Sequence, residues 1–74
     1  MKRVEVESSM ICEVGYDPAS RELEVLFNSG QLYRYFDVPP EEYEGLLNAE
    51  SKGRYMLSNI IDCYGYGKGS RRRR

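Results

Sequence analysis

Tyr33-Arg34-Tyr35 places two aromatic rings on one side of an extended chain and a guanidinium on the other, because successive side chains in a strand alternate. Two such rings can stack unpaired bases at about 1–3 kcal/mol per base, as RNA-binding sheets do. They can equally be core rings whose hydroxyls reach the rim. Cations that could meet the phosphates of such a ligand are Lys52, Arg54, Lys68, Arg71, Arg72, Arg73 and Arg74. Tyr66 lies in the same Gly- and Arg-rich stretch as the last five of these.

Other chemistry finds little support. Histidine is absent, which removes the usual general base for a Ser or Cys nucleophile and every His-containing zinc site. Cys12 and Cys63 are too far apart for a CxxC redox motif and too few for a four-thiolate metal site, so both are expected to be buried free thiols. Gly65-Tyr66-Gly67-Lys68-Gly69-Ser70 resembles a phosphate loop only superficially, for it lacks the four-residue spacer and follows a helix pattern. Glu5, Glu7, Glu22 and Glu24 alternate with apolar residues, the pattern of a solvated strand face. No catalytic residue, metal or other cofactor is expected.

The charge is unevenly spread. Eleven Lys and Arg against twelve Asp and Glu give −1, yet four of the cations occupy the last four positions. Residues 1–70 alone hold seven against twelve, or −5. An acidic body followed by a basic segment suits polyanion contact, and also describes a solvated end that aids solubility. At 74 residues the chain is one domain with little room for a deep substrate cavity, so no small-molecule substrate is expected. No apolar run approaches the roughly 20 residues that span a bilayer, and a soluble cytoplasmic protein without membrane contact is expected.

The elements that must position these side chains can be read from periodicity. Val4, Val6, Met10, Cys12, Val14 and Tyr16 alternate with polar residues, with Ser8-Ser9 as a bend or bulge between a leading strand and a main one at about 10–16. Asp17-Pro18-Ala19-Ser20 reads as a turn, and Glu22 to Phe27 as a half-buried strand. A three-residue loop with Gly30 in the left-handed region would pair Phe27 with Gln31 and put Tyr33 and Tyr35 on the Leu23/Val25/Phe27 face. A two-residue Ser-Gly turn would send them to the other. The longer loop is favoured, since Ser is poor at positive φ.

Pro39-Pro40-Glu41-Glu42 starts a helix whose apolar face is Tyr43, Leu46 and Leu47, interrupted by Gly45. Ser51 is the N-cap of a second helix carrying Met56, Ile60, Leu57, Ile61 and Tyr64, with Gly65 as its C-terminal cap. The remainder is expected to be mobile. These elements predict an α+β fold: a small antiparallel meander of three to four strands with two C-terminal helices packed on one face.

The ordered set of Ser8-Ser9, Val14-Gly15-Tyr16-Asp17, Leu23-Glu24-Val25-Leu26-Phe27, Gly30, Tyr33-Arg34-Tyr35, Val38-Pro39, Tyr43, Leu46-Leu47, Ala49, Ser51-Lys52-Gly53-Arg54-Tyr55 and Asn59-Ile60-Ile61 closely resembles the KTSC domain. That module takes its name from the C-terminus of some lysyl-tRNA synthetases. The resemblance covers about residues 4–66, its mark is the central YxY, and it supplies no catalytic residues. A KTSC-like domain over 1–66 is expected, followed by a flexible basic tail over 67–74 that lies outside the resemblance, and the resemblance suggests RNA binding through the synthetase association. The expected function is thus a non-catalytic nucleic-acid-binding module, with Tyr33, Arg34 and Tyr35 as a stacking surface, Lys52, Arg54, Lys68 and Arg71–Arg74 on phosphates, and Tyr66 among the binding residues without an assigned stacking role. The alternative is a protein-interaction adaptor that docks through a sheet edge or an aromatic face.

Overall fold

The computed structural model describes residues 3–68. β1 (Arg3–Glu5), β2 (Ile11–Asp17), β3 (Glu22–Phe27), β4 (Leu32–Tyr35) and β5 (Tyr66–Lys68) form one antiparallel sheet in sequence order. Between β4 and β5 run α1 (Pro40–Asn48), α2 (Lys52–Tyr55) and a π turn, Met56–Ile60. The sheet has five strands where the sequence reading expects three to four. The added strand is β5, which pairs with β4 through Tyr66↔Tyr35, Gly67↔Arg34 and Lys68↔Tyr33. This corrects the expectation that the chain is mobile from Gly65 onward. Tyr66-Gly67-Lys68 has no apolar periodicity of its own and owes its strand state to the β4 ladder.

The β3–β4 hairpin follows the longer-loop register. Gly30 takes φ 97°, the Phe27 amide donates to the Gln31 carbonyl at 2.9 Å, and Val25 and Leu23 face Tyr33 and Tyr35. In the β2–β3 turn the Asp17 Oδ1 accepts from the Ala19 amide at 3.0 Å, which holds the chain reversal in place. Ser8 breaks the leading strand from β2 because its hydroxyl accepts from the amides of Met10 and Ile11, at 3.1 and 3.4 Å, in place of a ladder bond.

Two details depart from simple periodicity. The β2–β3 register shifts between Ile11 and Glu13, so Cys12 is the extra residue of a bulge and Ile11 takes the core position that strict alternation gives to Cys12. Cys12 is half-buried and Cys63 exposed, and both are free thiols, so the expected burial of Cys63 is corrected. The second helix ends early, with the Ile61 amide reaching back to the Met56 carbonyl at 2.7 Å and Asp62 at φ 69°. The wider turn buries both Met56 and Ile60 and leaves Leu57 63% exposed, so Leu57 is not a core residue and Gly65 is not the cap.

Both helices lie on one face of the sheet. Ile11, Val14, Leu23, Val25 and Tyr35 from the strands meet Val38, Leu46, Met56 and Ile60 from the helical side. Each such side chain contributes about 1.5–3 kcal/mol on leaving water. Pro40 opens α1, and the Ser51 hydroxyl accepts from the Arg54 amide at 3.3 Å to cap α2. Gly45 is explained by the neighbouring helix, because a Cβ there would stand 2.8 Å from Cζ of Tyr55.

Candidate functional site

The hairpin register turns Tyr33 and Tyr35 toward the helices, and their burial differs. Tyr35 is 3% exposed and belongs to the core, whereas Tyr33 is half-buried. Burial, together with the nearby phenols of Tyr33 and Tyr66 and the Asp62 carboxylate, pushes the Tyr35 hydroxyl up to about 12. Tyr33 meets Phe27 edge-on with ring centroids 5.5 Å apart, and meets Tyr66 edge-on at 5.5 Å. Tyr66 also lies 5.6 Å from Tyr35, yet is itself 59% exposed. The aromatic row therefore starts in the core and ends at the β5 edge on a ring that faces water.

The other sheet face is charged. The register aligns Arg3, Gly15, Glu24, Arg34 and Gly67 in one row across all five strands. Gly15 leaves a gap in that row. Across it Arg3 Nη1 reaches Glu24 Oε1 at 3.5 Å, while Arg3 Nε meets Glu13 Oε1 at 3.3 Å. From the other side Arg34 Nη2 donates to Glu24 Oε2 at 2.5 Å, and its Nε faces Glu22 Oε1 at 3.6 Å, too far for a hydrogen bond. The hydrogen bond to Glu24 raises the Arg34 pKa above its ordinary value. Glu24 itself is only 8% exposed, held between two guanidiniums.

This placement corrects the expected stacking surface. Tyr33-Arg34-Tyr35 is not an open platform, because Tyr35 is core, Tyr33 is clamped between Phe27 and Tyr66, and Arg34 is matched to carboxylates. Lys52 donates from Nζ to the Ala49 carbonyl at 3.1 Å, closing the last turn of α1. Arg54 is exposed and lines a shallow depression with Ser51, Ser58 and Asn59. Neither Lys52 nor Arg54 joins the aromatic row. Lys68 is the last residue of β5, beside Tyr33 in register, and Arg71, Arg72, Arg73 and Arg74 lie outside the described residues.

One polar cluster was not anticipated from the sequence. Glu42 of α1 accepts from two phenols, Tyr55 at 2.7 Å on Oε1 and Tyr64 at 2.9 Å on Oε2. The hydrogen bond to Glu42, with burial, pushes the Tyr55 hydroxyl up to about 12. Burial, and then the same carboxylate, raises Tyr64 as well. Beside them Tyr43 stacks on Tyr16 at 5.2 Å and 14°, and the Tyr16 hydroxyl donates to the Val38 carbonyl at 2.5 Å. The cluster ties α1, α2 and the segment after the π turn together. Its sequence signal is Gly45, the one position on α1 that lets Tyr55 approach.

The KTSC domain family model matches residues 7–64. The chain belongs to the KTSC family. A KTSC domain protein from Yersinia pestis has a crystal structure that superposes with a TM-score of 0.91 at 35% identity, covering 93% of this chain and 97% of that one. An uncharacterized protein from Stutzerimonas stutzeri is 54% identical over 56 residues, 76% of this chain and 79% of its own length. A lysine–tRNA ligase from Nostoc punctiforme is 43% identical over 50 residues, 68% of this chain but 9% of the ligase. The KTSC match thus includes the central YxY, the hairpin and both helices. No helix among the described residues is long and apolar enough to cross a membrane.

Proposed function

We propose that this KTSC domain is a non-catalytic module that binds single-stranded nucleic acid, RNA in particular, at the β4–β5 edge. The observation that carries this reading is Tyr66. Its ring is exposed at the sheet edge while Tyr33 and Tyr35 brace it from behind, which is the arrangement a stacking base needs. In the sequence, Lys68 and Arg71–Arg74 follow within eight residues of Tyr66 and supply cations for phosphates. The occurrence of a similar segment in lysine–tRNA ligases supports an RNA rather than a DNA ligand.

A second reading, a protein-interaction adaptor, is favoured by the charged sheet face. Arg3 and Arg34 there are already paired with Glu13, Glu22 and Glu24, so among the described residues that face offers phosphates no cation without breaking an ion pair. Titrating fluorescein-labelled single-stranded RNA at several salt concentrations separates the two. Four arginine–phosphate contacts correspond to a slope of about −3 in log K against log[salt], at roughly −0.7 per contact. Removing residues 71–74 should flatten the slope by that amount, and Tyr66→Ala should weaken binding about fivefold or more at every salt concentration. An RNA affinity indifferent to both changes would favour the adaptor.

A further inference from the structure

We propose that the outer edge of β1 pairs with the same edge of a second copy of this chain, in antiparallel register centred on Val4. This does not depend on the nucleic-acid reading and concerns the opposite side of the sheet. β1 is exposed along its whole length, and its only strand neighbour among the described residues is β2.

The backbone is set for such a pairing. The Val6 amide donates to the Cys12 carbonyl at 3.0 Å, and antiparallel ladders bond alternate residues. Val4, opposite Val14, therefore turns its backbone groups inward to β2, and Arg3 and Glu5 turn theirs outward. A two-fold axis beside Val4 would place Arg3 opposite Glu5 of the second copy and Glu5 opposite its Arg3. Both of those pairs then fall at hydrogen-bonded positions, while Val4 meets Val4 at the closer, non-hydrogen-bonded position.

The side chains complement each other in the same register. Arg3 and Glu5 share the charged face, so each faces its opposite charge across the new junction. Glu5 stands opposite Glu13 in its own sheet, a like-charge pair, and makes no ion pair among the described residues. Arg3 of the second copy, held by Glu13 and Glu24 of its own sheet, would stand opposite it and lower the local negative potential without leaving those carboxylates. On the other face Val4, 43% exposed, would be covered by its own counterpart. A junction of three residues per copy is well below the area of a standard interface, so the dimer should be weak, with a Kd of about 0.1–1 mM. Charged, short edges usually blunt association, and here the order of the charges makes the edge match itself.

Sedimentation equilibrium of the full chain from about 10 μM to 1 mM tests this. The weight-average mass should rise from 8.6 kDa toward twice that value across the series. Glu5→Arg sets like charges opposite each other twice per dimer and should weaken association about tenfold or more. Glu5→Pro removes an outward-facing amide, a position where an edge strand tolerates proline, and should abolish association without lowering the melting temperature. Should Glu5→Pro disturb β1, Glu5→Arg alone decides. A mass fixed at 8.6 kDa up to 1 mM, or Glu5→Arg associating as tightly as the natural chain, would overturn the proposal.

Discussion

The two faces of the sheet use the same strands for opposite purposes. On one, Val14, Val25, Leu23 and Tyr35 disappear beneath the helices, and attraction comes from removing apolar surface from water. On the other, Arg3, Glu13, Glu22, Glu24 and Arg34 form a chain of ion pairs that stays partly wet. The difference shows why Tyr-Arg-Tyr is a structural signature before it is a binding motif. The triplet serves both faces at once, with rings to the core and a guanidinium to the carboxylates.

The largest effect that sharpens this contrast is expected at Tyr35. Replacing it with Ala opens a core cavity and should cost about 3–5 kcal/mol, measured by urea denaturation. A loss below about 1 kcal/mol would break the assignment of that ring to the core. Glu24→Gln comes next, because it leaves two guanidiniums facing a neutral amide. Their partial exposure limits the loss to about 1–2 kcal/mol, well above the few tenths expected for Glu13→Gln at the rim. Equal losses for the two variants would mean that the row has no centre.

Tyr55→Phe removes one phenol from Glu42 and should cost about 1 kcal/mol at neutral pH. Its alkaline behaviour is more diagnostic. The Tyr55 pKa is raised from 10 to about 12, so the native state holds its proton more tightly than the unfolded chain does. That stability is fully present below pH 10 and is lost as pH rises through about 12. The natural chain should therefore lose stability more steeply than Tyr55→Phe over that window, as followed by circular dichroism. Parallel curves would remove the Glu42 bond as the cause. The smallest effect belongs to Leu57→Ser, within about ±0.5 kcal/mol by thermal melting, because an apolar residue in contact with water contributes little.

Several of these features were legible in the sequence, and the reasons are local. Gly30 after Asn28-Ser29 specifies its own hairpin register, Pro40 specifies a helix start and Ser51 a cap. The bulge at Cys12, the π turn and β5 were not legible. A bulge changes parity without changing composition, so Ile11 and Cys12 exchange places unseen. The π turn leaves the i+4 recurrence of Met56 and Ile60 intact while releasing Leu57. β5 depends on β4, whose paired residues lie far back in the sequence (Tyr35 for Tyr66), and the strand preference of Tyr66 is offset by Gly67 and Lys68 beside it. For the candidate site, sequence identified the aromatic residues but not their depth, and the Glu42 cluster needed the crossing of two helices to exist.

Gly15 has one more effect. By leaving a gap in β2 it lets the Arg3 guanidinium span two strand widths to Glu24, so an edge strand is fastened to the middle of the sheet by charge as well as by its own ladder. Fraying of β1 is then an electrostatic event, and its opening frequency responds to ionic strength while the helix-covered interior stays indifferent. Added salt would loosen this molecule from one margin inward.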